Sequence, residues 1–324
     1  MPVLVTGASG FVGSLLVPRL LADGVPVRAL GRDLQRTRDV LEQQIDADDV
    51  ELVRGDAFRG EGLDSAMAGV EVAYYLIHSM ESSAARSAPF SERERVAAEN
   101  FAAAAARAGV GRIVYLGGLV PRWSAPASSR RGARAPSSTH LDSREQVERI
   151  LLRAVPGSVA LRASIVIGAR SRSFRLLVRL VERMPVLTLP AWRRFRTQPI
   201  DQRDVIEMLH ACMRAPLSGR TLDVGGPDVL SYGEILSRIA DLMLLGRPAL
   251  GLGVNLTPVA ARVAAAIAGE DPNLVLPLME GLQGDLLPAA DRAAELLGVR
   301  LHSFDSAVEH ALAEWEEYEP LAAR

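Results

Sequence analysis

Lysine is missing from all 324 residues, and each of the 37 basic residues is an arginine. Lysine is ordinarily among the commonest residues of soluble proteins, so the bias is strong; a GC-rich genome that favours arginine codons is its simplest cause. The chemical consequence holds whatever the cause. A guanidinium does not lose its proton at working pH, so Schiff-base and other lysine chemistry is excluded. Cysteine is nearly absent as well. The single Cys212 excludes an internal disulfide, and its apolar helical surroundings read as a small buried hydrophobe rather than a nucleophile. Neither sign of charge dominates: a net charge of −2 gives no reason to expect nucleic acid. Long apolar runs are lacking too. The most apolar tract, 239–269, is interrupted by Arg247, Pro248, Pro258 and Arg262 and falls short of a membrane-inserted helix. The first residues form a strand pattern without a basic leader, so no secretory signal is expected and a cytoplasmic setting is the default.

What is present begins at residues 3–13, Val-Leu-Val-Thr-Gly-Ala-Ser-Gly-Phe-Val-Gly. A short apolar run stops at Thr6-Gly7, glycines recur at Gly7, Gly10 and Gly13, and an amphipathic stretch follows without a break. This order predicts strand, tight turn and helix. The first glycine permits the turn, the second keeps Cβ away from a pyrophosphate, and the third lets helix pack on strand. The free amides of the helix N-terminus then face the phosphates. Thr6, Gly7, Ser9, Gly10, Phe11, Val12 and Gly13 are accordingly the candidate cofactor-binding residues of the turn.

The first half alternates further: strands are predicted at 27–30, 50–53, 70–77, 113–116 and 158–167, and helices at 90–108 and 140–153. Near-continuous apolar strands between helices imply an α/β fold, a doubly wound parallel Rossmann-type sheet covered on both faces. Residues 121–138 carry four arginines and no acid. They read as a long loop, either a solvated insert or a lid over an anionic ligand. Beyond residue 170 helical patterns dominate, at 174–183, 204–214, 232–245 and 304–317. The expected organisation is a dinucleotide-binding domain over 1–235, with part of 170–200 contributing to a cap, and a smaller, mostly helical C-terminal cap over 236–324. An apolar content of 48% is ample for both.

Taken together, these landmarks resemble the short-chain dehydrogenase/reductase superfamily. The spacing Thr-Gly-x-x-Gly-x-x-Gly matches its extended and atypical branch, which includes NmrA-like proteins and relatives of a respiratory complex I accessory subunit. Gly55-Asp56, the strand Ile113-Val-Tyr-Leu116, Leu161-Arg-Ala-Ser-Ile-Val-Ile-Gly168 and Pro199-Ile-Asp-Gln-Arg-Asp-Val205 agree, so the likeness covers roughly 1–235. Tyr75-Leu-Ile-His-Ser-Met80 is similar to a bacterial atypical subgroup of NAD(P)H-binding proteins.

The resemblance implies a catalytic Tyr-x-x-x-Lys pair with a Ser or Thr, and here the chain departs from it. In that register it reads His140-Leu-Asp-Ser-Arg144, and the strand that would deliver the hydroxyl ends Tyr115-Leu-Gly-Gly-Leu119. Arg144 can still hold positive charge and donate hydrogen bonds to the nicotinamide ribose. His140, with an unperturbed pKa of about 6.5, can donate a proton to a carbonyl that receives hydride, or it caps its helix. His78, just past the fourth strand, lies where the superfamily sets residues against nicotinamide and substrate, or it holds a loop. NAD-specific members end their second strand in an acid; this one reads Val27-Arg-Ala-Leu-Gly31-Arg32-Asp33, with glycine at that place and Arg32 next. NADP(H) is therefore favoured over NAD(H), although a slip of one residue would make Asp33 the acid. Asp56 and Ala57 would border the adenine, Leu76 and Ile77 would line the cofactor's middle, and residues 163–165 would lie near the nicotinamide. Trp192-Arg-Arg-Phe-Arg196 reads as a solvated rim, or else as the mouth of a site for an acidic or aromatic substrate.

The leading expectation is an NAD(P)H-dependent reductase of a small organic carbonyl, quinone or enone. Against it stand an NADP(H)-binding redox sensor without chemistry and a structural subunit. A small-molecule substrate is the expected partner, with no nucleic acid, no membrane insertion, no metal and an open oligomeric state.

Overall fold

The computed structural model describes residues 1–77, 90–119, 139–251, 284–289 and 292–321. His78, the loop 121–138 and most of the tract 239–269 lie outside the described residues. The described elements run β1 (Val3–Thr6), α1 (Phe11–Ala22), β2 (Val27–Gly31), α2 (Leu34–Leu41), β3 (Val50–Arg54), α3 (Leu63–Met67), β4 (Val72–Tyr75), α4 (Phe90–Ala108), β5 (Arg112–Gly118) and α5 (Thr139–Ala154). They continue with β6 (Val159–Ala163), β7 (Val166–Ile167), α6 (Arg172–Arg183), β8 (Leu187–Leu189), β9 (Arg196–Thr197), β10 (Ile200–Asp201) and α7 (Gln202–Cys212). β11 (Arg220–Val224), β12 (Leu230–Ser231), α8 (Tyr232–Leu242), β13 (Ala249–Gly251), α9 (Ala293–Leu297) and α10 (Phe304–Glu316) follow.

Seven strands form one parallel sheet in the order β11-β6-β5-β4-β1-β2-β3. Alternation along β1 shows why both faces are covered. Val3 and Val5 join one apolar cluster with Leu16, Val17 and Leu209, whereas Leu4 joins another with Leu63, Phe101 and Leu151. Helices α1 and α7 thus pack on one face and α3, α4 and α5 on the other. Each fully buried aliphatic side chain of this kind contributes about 1.5–3 kcal/mol. A further core joins α6, α8 and α10: Phe174, Val178, Leu236, Phe304 and Trp315 are all buried in it.

The structure departs from the sequence expectations in three places. The strand expected over 158–167 is two, β6 and β7, because the chain turns at Ser164 and Ile165. Ser164 Oγ bonds the Gln198 carbonyl, the Ile165 carbonyl accepts from Ile200 N at 2.9 Å, and β7 pairs with β10 outside the main sheet. The helices α2, α3 and α9 are absent from the expected elements. Beyond residue 170, β11 completes the main sheet, and the short strands β8, β9, β10, β12 and β13 pair in two-stranded sheets. Among the described residues no helix is long and apolar enough to cross a membrane.

Candidate functional site

The strand order reverses at β1, which lies between β4 and β2. In an open α/β sheet such a reversal leaves a crevice at the carboxyl ends of the strands. A cleft of about 790 Å³ occupies that place, walled by the ends of β1, β2, β4, β5 and β6.

The glycine turn forms the floor. Gly7 has φ +71°, and a Cβ there would lie 2.6 Å from the Leu76 carbonyl oxygen at the end of β4. A Cβ on Gly13 would come within 2.2 Å of the Gly7 carbonyl oxygen, so only glycine lets α1 sit directly on the turn. Gly10 is the N-cap of α1 and offers no capping side chain. The amides of the first helical turn therefore have no side-chain acceptor and face the cleft, as an anion requires. Ser9, Phe11 and Val12 line the cleft with the glycines. Thr6 does not. It is buried beneath the turn, donating to the Tyr74 carbonyl at 2.9 Å and accepting from Leu76 N at 3.2 Å, which ties β1 to β4.

At the end of β2, Gly31 is pressed against Thr37, whose Oγ1 would lie 2.6 Å from an added Cβ. Asp33 is the N-cap of α2: its carboxylate accepts from Arg36 N at 3.0 Å and its carbonyl from Thr37 Oγ1 at 2.9 Å. Arg32 and Arg36 both line the cleft. After β3, Asp56 accepts from the amides of Phe58 at 2.8 Å and Arg59 at 3.3 Å. Asn100 on α4 holds the same turn by donating to the carbonyls of Ala57 and Phe58, and the Arg93 guanidinium lies 5.9 Å from the Phe58 ring. Leu76 and Ile77 complete this wall.

On the far side, α5 presents Arg144. Its register is fixed by buried polar contacts. Ser143 Oγ donates to Glu94 on α4 at 2.8 Å, while Glu148 accepts two hydrogen bonds from Arg162, at 2.7 and 2.8 Å, and one from Thr221 at 2.6 Å. The Tyr115 hydroxyl reaches the Arg144 carbonyl only at 3.5 Å, and burial pushes its pKa up to about 12. Gly117 and Gly118 line the cleft at the end of β5, with no hydroxyl between them. The backbone of His140 lies in the first turn of α5, and its side chain lies outside the described residues.

Several lining residues, Arg36 and 170–173 among them, are not among the sequence-predicted site residues. Asp33 preceding a helix was a readable N-cap, and with it α2 and its Arg36 would have been found. Residues 170–173, by contrast, reach the cleft only through the tertiary fold. Electrostatically the described wall is positive: Arg32, Arg36, Arg93, Arg144, Arg170 and Arg172 stand against Asp33 and Asp56, both engaged with backbone amides. The Trp192 cluster lies elsewhere. Trp192 is buried in the further core, Arg194 covers Phe195 at 5.6 Å, and Arg196 pairs with Asp285 at 2.9 Å. Cys212 is buried, and burial pushes its thiol up to about 12, the behaviour of an inert core residue.

Comparison with known proteins fits this geometry. A dihydroflavonol 4-reductase from Hordeum vulgare is 36% identical over 83 residues, 25% of this chain; the match spans only 23% of that protein's length. Among solved structures, gox2253 superposes with a TM-score of 0.74 at 20% identity over 99% of both chains. The UDP-glucuronic acid 4-epimerase of Bacillus cereus, solved in complex with NAD, gives 0.70 at 17% identity over 100% of this chain and 99% of that one. At those identities the likeness is one of fold. The NmrA-like family model matches residues 2–230, most of the chain and every strand of the main sheet, and the protein therefore belongs to the NmrA-like family.

Proposed function

We propose that the cleft holds a nicotinamide dinucleotide, NADP(H) in preference to NAD(H), and that the protein is a reductase of a small organic carbonyl, quinone or enone. One observation carries this reading: the uncapped N-terminus of α1, reached through three glycines, opens at the strand-order reversal into a cleft with an arginine-rich wall. The reductase among its curated relatives and the NAD complex of the epimerase support it. Gly31 and Arg32 at the end of β2 support the 2′-phosphate preference, with Asp33 already engaged as a helix cap. Arg144 is assigned to the nicotinamide ribose in place of lysine, and His140 to proton donation in place of tyrosine, with His78 as the second candidate. The bound dinucleotide supplies hydride; the histidine supplies the proton to the oxygen being reduced. The organisation into a dinucleotide-binding domain over 1–235 and a cap over 236–324 is part of the same proposal. The core that joins α6 to α8 and α10 supports a contribution from 170–200 to that cap.

A second reading, an NADP(H)-binding sensor without chemistry, is favoured by Gly117 and Gly118 at the place of the family's hydroxyl. NADPH consumption across a panel of quinones, ketones and enones separates the two. Turnover in the wild type, lowered about 10²–10⁴-fold by His140→Phe with NADPH affinity unchanged, is the expected result. Tight NADPH binding with no consumption across the panel transfers the assignment to the sensor.

A further inference from the structure

Arg170 has a setting unlike that of the glycine turn. It lies in the connection between β7 and α6, far along the chain from the dinucleotide motif, yet it lines the same cleft. The connection is pinned directly over the start of α1. A Cβ on Gly168 would come within 2.8 Å of the Phe11 ring, and Ser171 donates its amide to the Gly168 carbonyl at 3.0 Å while capping α6. From that position the half-buried guanidinium reaches across to α1 and to the segment after α2. Its two terminal nitrogens lie 3.4 Å from Ser14 Oγ and 3.1 Å from Gln43 Oε1. Both partners are neutral, and among the described residues no carboxylate pairs with it. A guanidinium held at the mouth of a cleft by two neutral oxygens keeps an uncompensated charge, and it gains by exchanging those contacts for a phosphate.

We propose that Arg170 is a clamp on the pyrophosphate of the bound dinucleotide, closing on it from the β7–α6 connection while the amides of α1 hold it from the glycine turn. This rests on the nucleotide reading of the cleft given above. The pyrophosphate is shared by NADPH and NADH, whereas Arg32 is assigned to a group that only NADPH carries. The two assignments therefore have different signatures.

The experiment is titration of the wild type, Arg170→Ala and Arg170→Gln with NADPH and with NADH, each variant first checked for an unchanged thermal midpoint. Loss of affinity for both cofactors by the same factor, roughly ten- to a hundredfold in both variants, is expected. Glutamine keeps a polar amide at this place without the charge. Full affinity in Arg170→Gln would make the residue a strut and overturn the proposal. Weakening of NADPH alone would place Arg170 on the 2′-phosphate and overturn it equally. If the wild type binds neither dinucleotide, the nucleotide reading itself fails; if the wild type binds and the variants match it, only the clamp does.

Discussion

On the proposed reading, Gly31 and Arg32 are the two adjacent positions that select the phosphate group at the end of β2. The side chain of Thr37 stands against Gly31, so a side chain at that position would have to displace it, and the nearest acid is turned into the cap of α2. NADPH is expected to bind roughly ten- to a hundredfold more tightly than NADH, and Arg32→Ala to remove most of the difference. Titration followed by NADPH fluorescence measures both, and equal wild-type affinities would sink the assignment. At this scale the glycine turn was legible, because each glycine has a steric reason that any backbone of this shape shares. The role of Asp33 was ambiguous in the sequence, since one residue of slippage interchanges a ribose acceptor and a helix cap; only the bond to Arg36 N separates them. Thr6 was legible as part of the turn but not as its underpinning. Whether a hydroxyl points into a cleft or back to Tyr74 depends on β4, a strand some seventy residues away.

Helix α5 shows how elements, rather than residues, deliver Arg144 to the cleft. Glu148 joins three of them: it sits on α5, pairs with Arg162 on β6 and accepts from Thr221 on β11. Its side chain is only 5% exposed, so removing the arginine or the glutamate strands a buried charge or polar group. Breaking such a pair costs about 3–5 kcal/mol, and the partial exposure of Arg162 sets the expectation at the lower end of that range. Chemical denaturation of Glu148→Ala should show this loss, and NADPH affinity should fall with it if Arg144 reads the ribose. A variant as stable as the wild type would mean that α5 is held by its apolar face alone. The strands of the first half were legible because a strand buried on both faces is apolar throughout. Those beyond residue 170 were not. Two- and three-residue strands carry no periodicity, and β11 begins with Arg220 and Thr221 at the sheet's edge. Nor does α2 display a broad apolar stripe: Thr37 and Leu41 are its buried residues, and its start is written in Asp33 instead.

For the molecule as a whole, a contributor to acid stability lies at the seam between α1 and α7. His210 packs among Arg19, Asp23, Glu207 and Arg214, with its Nε2 2.9 Å from the Asp23 carboxylate. Burial, followed by the charge of Arg19, holds its pKa below the ordinary value in spite of the two carboxylates. The folded protein thus resists protonating a group that the unfolded chain protonates at about 6.5. Its stabilising contribution is full above that value and is lost as pH falls through the depressed folded pKa. Thermal midpoints recorded from pH 8 down to pH 5 should decline more steeply below about 6.5 for the wild type than for His210→Gln. Parallel curves would remove His210 from the account. The general architecture was legible at this scale, since alternating strand and helix signals permit few topologies. The make-up of the further core was not, because it draws on 167–192 and 230–321 with β11 between them.

That interleaving sets a timetable for synthesis. Once Val224 has cleared the ribosome, all seven strands of the main sheet are available. The apolar stripe of α6, with Phe174, Val178 and Val181, still waits for α8 and then for Phe304, Leu312 and Trp315 on α10. An apolar helix left uncovered for that interval is what chaperones bind, so a chain stopped there is expected to aggregate rather than to serve as a smaller working protein.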